Sequence, residues 1–231
     1  MFHQTTRAVL FDFGGTLDCD GVHWPERFYS LYKDEGGEFA RDRFERAFYD
    51  ADDHLHERHK LNGLDLAETV LLQCTDTAAN LRADKSLGER VAARFTRESR
   101  DAFRRNRPTL ERLSNTWRLG IVSNFYGNLS SILHREGLAD LFGAVADSGV
   151  VGAVKPDRRI FAAAFEPLGA APEDCWMIGD SVARDMRGAA ALGMRLGFMR
   201  GTRDARALEG LDAALLDRLT DLDAVLGEVT A

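Results

Sequence analysis

Cysteine is scarce in this chain. The three residues, Cys19, Cys74 and Cys175, are widely scattered and form no CxxC pair, which argues against a disulfide framework and suits the reduced thiols of a cytoplasmic protein. Long apolar runs are also missing. Met1 to Arg7 leads into only a few apolar residues, far short of the ~18 that a membrane span needs and unlike the apolar region of a signal peptide, so a soluble protein with no membrane association is expected. Positive charge is not in excess either: 30 Lys+Arg against 37 Asp+Glu leave a net charge of −7, which argues against a dedicated nucleic-acid binder. Lysine itself is rare, confined to Lys33, Lys60, Lys85 and Lys155. Internal repeats and low-complexity linkers are absent.

What is present is ordinary globular material, 45% hydrophobic and 29% charged, enough for a core without a metal or disulfide staple. At ~150 residues per domain, the 231 residues correspond to about 1.5 domains. Three unbroken apolar runs, Ala8 to Phe11, Leu119 to Val122 and Cys175 to Ile178, suit strands buried on both faces of a parallel sheet. Further strands are expected near 144–147 and 195–199, and helices near 128–136, 157–168 and 183–192, with a last helix near 221–226. That alternation marks an α/β domain. Between the first two runs no strand pattern appears. From about 20 to 107 the apolar positions recur at helical spacing, as in Phe44, Phe48, Ala51 and Leu55, or Leu87, Val91, Phe95 and Phe103 with one gap at Ser99.

Each of the three strongest strands ends in small or polar residues, and ligands of open parallel sheets bind at the carboxyl ends of strands. Asp12-Phe13-Gly14-Gly15-Thr16-Leu17 follows the first; it reads as a tight turn or as a carboxylate set to attack an electrophile above the sheet. Ser123-Asn124 follows the second, as a helix cap or a cradle for phosphate oxygens. Lys155-Pro156-Asp157 precedes a helix and offers either a solvated lysine or a point charge for an anionic intermediate. Gly179-Asp180-Ser181-Val182-Ala183-Arg184-Asp185 follows the third; its two carboxylates can cap a helix or hold a hard divalent cation.

In this order the motifs resemble those of the haloacid dehalogenase superfamily of hydrolases. Asp12 to Thr16 matches its first motif, Ser123 its second, Lys155-Pro156 its third, and Asp180 with Asp185 its fourth. The resemblance implies a Rossmann-like three-layer α/β core with a mainly parallel sheet, formed by residues 1–19 and 108–231, and an α-helical cap inserted after the first strand, residues 20–107. It implies Asp12 as a nucleophile forming an aspartyl-phosphate. Ser123, Asn124 and Lys155 would hold the phosphoryl oxygens. Asp12, the Gly14 carbonyl and Asp180 would bind Mg2+, with Asp185 orienting them or Lys155. The partner would be a small phosphorylated substrate, and a monomer or homodimer is expected.

One departure matters. Most phosphatases of the superfamily carry a second aspartate two residues after the nucleophile, as a proton donor worth roughly 10²–10⁴-fold in rate. Here that position is Gly14. Either the leaving group needs no acid there, or another group substitutes, with Asp18, Asp20, His23, His54, His56 and His59 as candidates. Otherwise the chemistry differs. Dehalogenases of the superfamily lack the fourth motif that Asp180 and Asp185 match, and phosphonate-cleaving members use a cap lysine, for which Lys33, Lys60 and Lys85 are the candidates. A phosphate-ligand binder with little turnover is the remaining alternative. Mg2+-dependent phosphomonoester hydrolysis is the expectation kept. Finally, Glu89 to Arg107 holds seven arginines and three acids. Arg90, Arg94, Arg97 and Arg104 share a helical face that is either solvated or set to reach a second anionic group on the substrate.

Overall fold

The computed structural model describes residues 6–201, 203 and 205–227; the expectation placed on the first five residues lies outside them. Among the described residues the strands are β1 (Thr6–Phe11), β2 (Arg118–Ser123), β3 (Ala144–Asp147), β4 (Ala170–Gly179), β5 (Arg195–Met199) and β6 (Ala213–Leu216). Between β1 and β2 lie α1 (Trp24–Asp34), α2 (Arg41–Asp53), α3 (Leu55–Arg58), α4 (Leu66–Asn80) and α5 (Lys85–Ser114). The remaining helices are α6 (Leu129–Arg135), α7 (Ser148–Val151), α8 (Arg158–Phe165), α9 (Arg187–Ala190) and α10 (Leu222–Gly227).

The strands form one sheet in the order β3-β2-β1-β4-β5-β6, and all five pairings are parallel. Apolar runs without alternation produce this because both faces of each strand are covered. Along β1, Val9 and Phe11 join a core with Phe103, Leu110 and Leu113 of α5, Ile132 of α6 and Leu222 of α10. Ala8 and Leu10 point the other way, into a second core with Ile160, Phe161 and Ala164 of α8 and Ala189 of α9. Helices on both faces of a parallel sheet make the three-layer α/β architecture expected from the sequence. The chain runs outward through β2 and β3 on one side of β1, and through β4, β5 and β6 on the other. The order therefore reverses between β1 and β4, the crevice where such sheets bind ligands.

Strand β6 was not anticipated: Ala-Ala-Leu-Leu carries no β-branched or aromatic residue, and it pairs only as an edge against β5. Helix α5 is longer than its sequence suggests. It runs unbroken for 30 residues through Pro108, so the expected edge at 107/108 falls inside it. A helix-interior proline loses a hydrogen bond and costs ~3 kcal/mol or more; burial of Leu110 and Leu113 on the sheet side offsets this. The gap at Ser99 has a physical reason too, because Ser99 is buried and its hydroxyl accepts from Arg27 Nη1 at 3.1 Å. Among the described residues, no helix is long and apolar enough to cross a membrane.

Candidate active site

Asp12 sits one residue past β1, tied to the sheet by its backbone N–H, which donates to Ile178 O at 2.8 Å. The chain then coils into one wide turn, Phe13–Leu17, anchored by the buried Phe13 ring, which packs on Phe103 and Phe125. Gly15 takes φ +81, and a Cβ there would lie 2.4 Å from Asp180 Oδ2. Glycine at this position thus serves both the left-handed backbone and the close approach of the Asp180 carboxylate.

Three donors converge on one oxygen of Asp12. Phe13 N–H (2.7 Å), Ser123 Oγ (2.9 Å) and Lys155 Nζ (2.7 Å) all meet Oδ1. Oδ2 has no hydrogen-bond or ion-pair partner among the described residues. Lys155 is buried and also lies 2.7 Å from Asp185 Oδ1. Burial alone would lower its pKa, but the carboxylates of Asp12 and Asp185 outweigh it and hold it raised. Asp185 is fully buried and accepts from Ser181 N–H at 2.9 Å; burial, opposed by Lys155, pushes its carboxyl up to about 7. Asn124 Oδ1 accepts the backbone N–H of Lys155 at 2.7 Å and so fixes the lysine's entry into the site. The end of β3 is locked alongside by Asp147, which accepts from the N–H groups of Gly127, Leu129 and Gly149.

Asp180 follows β4 and is held by two side chains from elsewhere. His23 Nδ1 lies 2.7 Å from its Oδ2. Arg203 donates to its backbone carbonyl and approaches His23 Nε2 at 2.6 Å. A guanidinium can only donate, so Nε2 is the acceptor in its contact with Arg203. Oxygens of Asp12, Asp180 and Asp185 all lie within 4.8 Å of one another, and all three residues are buried. An all-oxygen carboxylate set suits a hard divalent cation rather than zinc.

Above these groups opens a cavity of about 360 Å3 between the strand tips and helices α1 and α2. Asp12, Gly14, Ser123, Asn124, Lys155 and Asp180 line it, and Asp185 stands behind Lys155. The structure thus brings the residues of the four motifs, Asp12, Gly14, Ser123, Asn124, Lys155, Asp180 and Asp185, to one place. It also shows what occupies the space beside Gly14. A Cβ on Gly14 would meet Trp24 Nε1 at 2.8 Å, and that indole N–H donates to Asp18 Oδ2 at 2.9 Å. Asp18 lies buried behind the indole, where Gly15 N–H (2.6 Å) and Arg27 (3.1 Å) also bind it. Of the proposed substitutes for the acid, only His23 lines the cavity. Asp20 pairs with Arg105, His54 with Asp50 and His59 with Asp76, while His56 is exposed.

The arginine face of α5 does not reach the cavity. Arg90 and Arg94 pair with Glu35, Asp34 and Glu98, and Arg104 pairs with Asp101. Arg97 and Arg104 border a separate groove with Leu71 and Thr96. The arginines that do line the cavity are Arg41 and Arg184. Lys33, Lys60 and Lys85 do not line it, so no lysine of the helical insertion stands where Schiff-base chemistry would need one. Sequence reasoning missed Trp24, Asp52, Tyr126, Arg184 and Arg203. Tyr126, three residues past Ser123, and Arg184, inside the Gly179–Asp185 motif, carried a local signal; the others did not.

Comparison with known proteins agrees with this geometry. A phosphoserine phosphatase from Thermus thermophilus is 38% identical over 120 residues, covering 46% of this chain and 48% of that protein. A glyceraldehyde 3-phosphate phosphatase from Methanothermobacter thermautotrophicus is 32% identical over 119 residues, 49% of this chain and 53% of that protein. The chain spans about half the length of these curated relatives. A crystal structure of a HAD phosphatase from Thermococcus onnurineus superposes with a TM-score of 0.56 at 27% identity, covering 96% of this chain and 98% of that one. A dehalogenase structure reaches a TM-score of 0.63 at 19% identity, covering 96% and 97%, a likeness of fold alone. The model of the family described as haloacid dehalogenase-like hydrolase matches residues 6–193. With four motifs gathered around one cavity and most of its length matched, the chain belongs to the haloacid dehalogenase-like hydrolases.

Proposed function

We propose that this chain is a Mg2+-dependent hydrolase of a small phosphorylated metabolite, with Asp12 as the nucleophile that carries the phosphoryl group. The supporting observation is the distribution of contacts on Asp12: Phe13, Ser123 and Lys155 fix Oδ1, and Oδ2 is left open. Relatives named for phosphoserine and for glyceraldehyde 3-phosphate support a small phosphomonoester, as does a cavity near the small end of the ~300–1,000 Å3 range of ligand sites. The net charge of −7 supports a small-molecule rather than a nucleic-acid substrate, and three unpaired cysteines support a cytoplasmic setting.

Asp12, the Gly14 carbonyl and Asp180 would hold the ion, with Asp185 orienting Lys155. The clustered carboxylates and the room that Gly15 leaves for Asp180 fit such a ligand set. When bound, the ion neutralises the charge that otherwise repels a phosphate from a carboxylate nucleophile. Ser123, the Asn124 amide and the Lys155 ammonium hold the phosphoryl oxygens. Asp12 Oδ2 attacks phosphorus, and the bond from phosphorus to the leaving oxygen breaks, that oxygen taking its proton from solvent. Water then attacks the aspartyl-phosphate at phosphorus and gives a proton to solvent, releasing phosphate and restoring the carboxylate. Gly14 supplies no proton to the leaving oxygen, so turnover should fall steeply as that oxygen becomes more basic. Residues 20–107 act as the cap that walls the cavity and excludes water, over a core of 1–19 and 108–231.

A panel of aryl phosphates, sugar phosphates and acyl phosphates, assayed with Mg2+ and with chelator, tests this. The expected result is metal-dependent turnover, abolished in Asp12→Asn and fastest for weakly basic leaving groups. Turnover surviving in Asp12→Asn would remove the nucleophile assignment. Tight binding of a phosphate analogue with no turnover of any ester would make the chain a binding protein.

A further inference from the structure

Five charged side chains of the cavity wall have no part in the phosphoryl chemistry: Glu26, Arg41, Glu45, Asp52 and Arg184. Asp52, near the end of α2, is clamped from both sides: its Oδ1 accepts from the Tyr126 hydroxyl, in the loop after β2, and from Gln73 Nε2 of α4 at 2.8 Å. Its Oδ2 has no hydrogen-bond partner among the described residues. Burial pushes the Asp52 carboxyl above its usual range, against the Tyr126 hydrogen bond and the charge of Arg184. A carboxylate held this way is pre-oriented and short of positive charge.

Arg184, exposed on the turn that follows β4, lines the rim of the same cavity. Its guanidinium makes no hydrogen bond or ion pair among the described residues, although its charge is felt at Asp52. The other arginine of the wall is already engaged, since Arg41 Nε lies 2.6 Å from Glu45. Glu26 belongs to the exposed first turn of α1, where a helix N-terminus accommodates a carboxylate. One cavity therefore presents an acceptor with a vacant oxygen and a donor with no partner, of opposite charge and not paired with each other.

Building on the phosphohydrolase reading, we propose that Asp52 and Arg184 form the subsite for the substrate's leaving group, and that this group is zwitterionic: an ammonium on Asp52 Oδ2 and a carboxylate on Arg184, as in an amino-acid O-phosphate. A hydroxyl would satisfy the Asp52 hydrogen bond without neutralising it. A purely anionic group would satisfy Arg184 and leave Asp52 uncompensated. The zwitterion meets both demands, and its phosphate remains free for Lys155 and Ser123.

The test compares four alkyl phosphates: O-phosphoserine, its analogue without the amine (3-phosphooxypropanoate), its analogue without the carboxylate (phosphoethanolamine), and propyl phosphate, the ratio of variant to wild type for each cancelling the less basic leaving oxygen that a β-ammonium group confers. p-Nitrophenyl phosphate reports on hydrolysis itself. The expected result is a kcat/KM for O-phosphoserine at least about tenfold above each truncated analogue, the size of one lost charged hydrogen bond. In Asp52→Asn the preference for the amine should collapse while the preference for the carboxylate persists, and Arg184→Gln should do the reverse. Turnover of p-nitrophenyl phosphate with all four alkyl phosphates alike, or with glycerol phosphate preferred, would overturn the subsite and leave the hydrolase reading standing. If nothing is turned over, the hydrolase reading fails. Calorimetric titration of the wild-type protein with the same four compounds then decides the subsite, which is refuted if O-phosphoserine binds no more tightly than propyl phosphate.

Discussion

Arg27 is the point where a change far from the chemistry should be felt most. It is 6% exposed on α1, and both terminal nitrogens of its guanidinium are engaged: Nη1 with Asp18 Oδ2 (3.1 Å) and Ser99 Oγ (3.1 Å), Nη2 with Phe95 O (2.9 Å), with Cζ 3.7 Å from the Phe95 ring centroid. Arg27→Met keeps much of the apolar stem but strands the Asp18 carboxylate in a buried site. Removing one partner of a buried pair costs about 3–5 kcal/mol. Asp18 also holds Gly15 N–H at 2.6 Å, so the loop carrying the nucleophile should loosen and turnover should drop with stability. The pH dependence has a defined sign. Burial already raises Asp18 above its usual value, with Arg27 the largest opposing influence. Without Arg27 the folded-state pKa moves further up. The native state then binds more protons than the unfolded chain across the interval between the two pKa values, so stability falls as pH rises through it and is partly recovered on acidification. Urea denaturation of Arg27→Met at several pH values measures this. Adding Asp18→Asn should restore part of the loss, because no buried charge is then left unpaired. A single-variant cost below about 1 kcal/mol, or no recovery in the double variant, would refute the buried-pair account.

Two further outcomes are expected. Gly15→Ala should lower activity more than stability: the φ of +81 and a Cβ 2.4 Å from Asp180 Oδ2 together displace a carboxylate of the acidic cluster. Equal activity in this variant, measured as kcat/KM with p-nitrophenyl phosphate, would dissociate Gly15 from the site. The thiols should be nearly inert in the native state, because burial pushes Cys19 up to about 11 and Cys175 up to about 12 and also raises Cys74. Ellman's reagent at pH 8 should react slowly with folded protein and promptly with all three cysteines in guanidinium; rapid native labelling of any of them would contradict the packing around it.

The catalytic floor was legible because a buried parallel strand announces itself twice, as an unbroken apolar run and as a polar tip. Phe11-Asp12, Val122-Ser123 and Gly179-Asp180 each mark a strand end in a few adjacent letters. The walls were not legible, since they are made of long-range meetings. Asp52 and Tyr126 are 74 positions apart, and nothing near Asp52 distinguishes it from the exposed acids around it. Nothing in the sequence separates Arg27 from the other charged helix residues, yet it is buried, with Ser99 on α5 accepting from it. The arginine face of α5 left two readings open because periodicity gives a face but not its direction; the structure takes the solvated one, with Glu35, Asp34, Glu98 and Asp101 neutralising it away from the cavity. Trp24 beside Gly14 is the most informative of the unforeseen contacts, because it fills the space where a side chain at position 14 would stand.

Helix α5 also has a mechanical consequence. At 1.5 Å per residue its 30 residues make a rod about 45 Å long, packed at one end in the helical insertion and at the other against the sheet. The insertion is thus joined to the core by one stiff beam and by one short non-helical segment, Asp18 to His23. A displacement of the insertion relative to the core would pivot on that segment and flex the beam, and would break the contacts that Asp52 and Thr69 make with Tyr126 and Asn128. The weak point of the beam is already marked: Pro108 leaves the carbonyl of Arg104 without its helical donor, so bending is easiest at the level where the rod passes from the insertion onto the sheet.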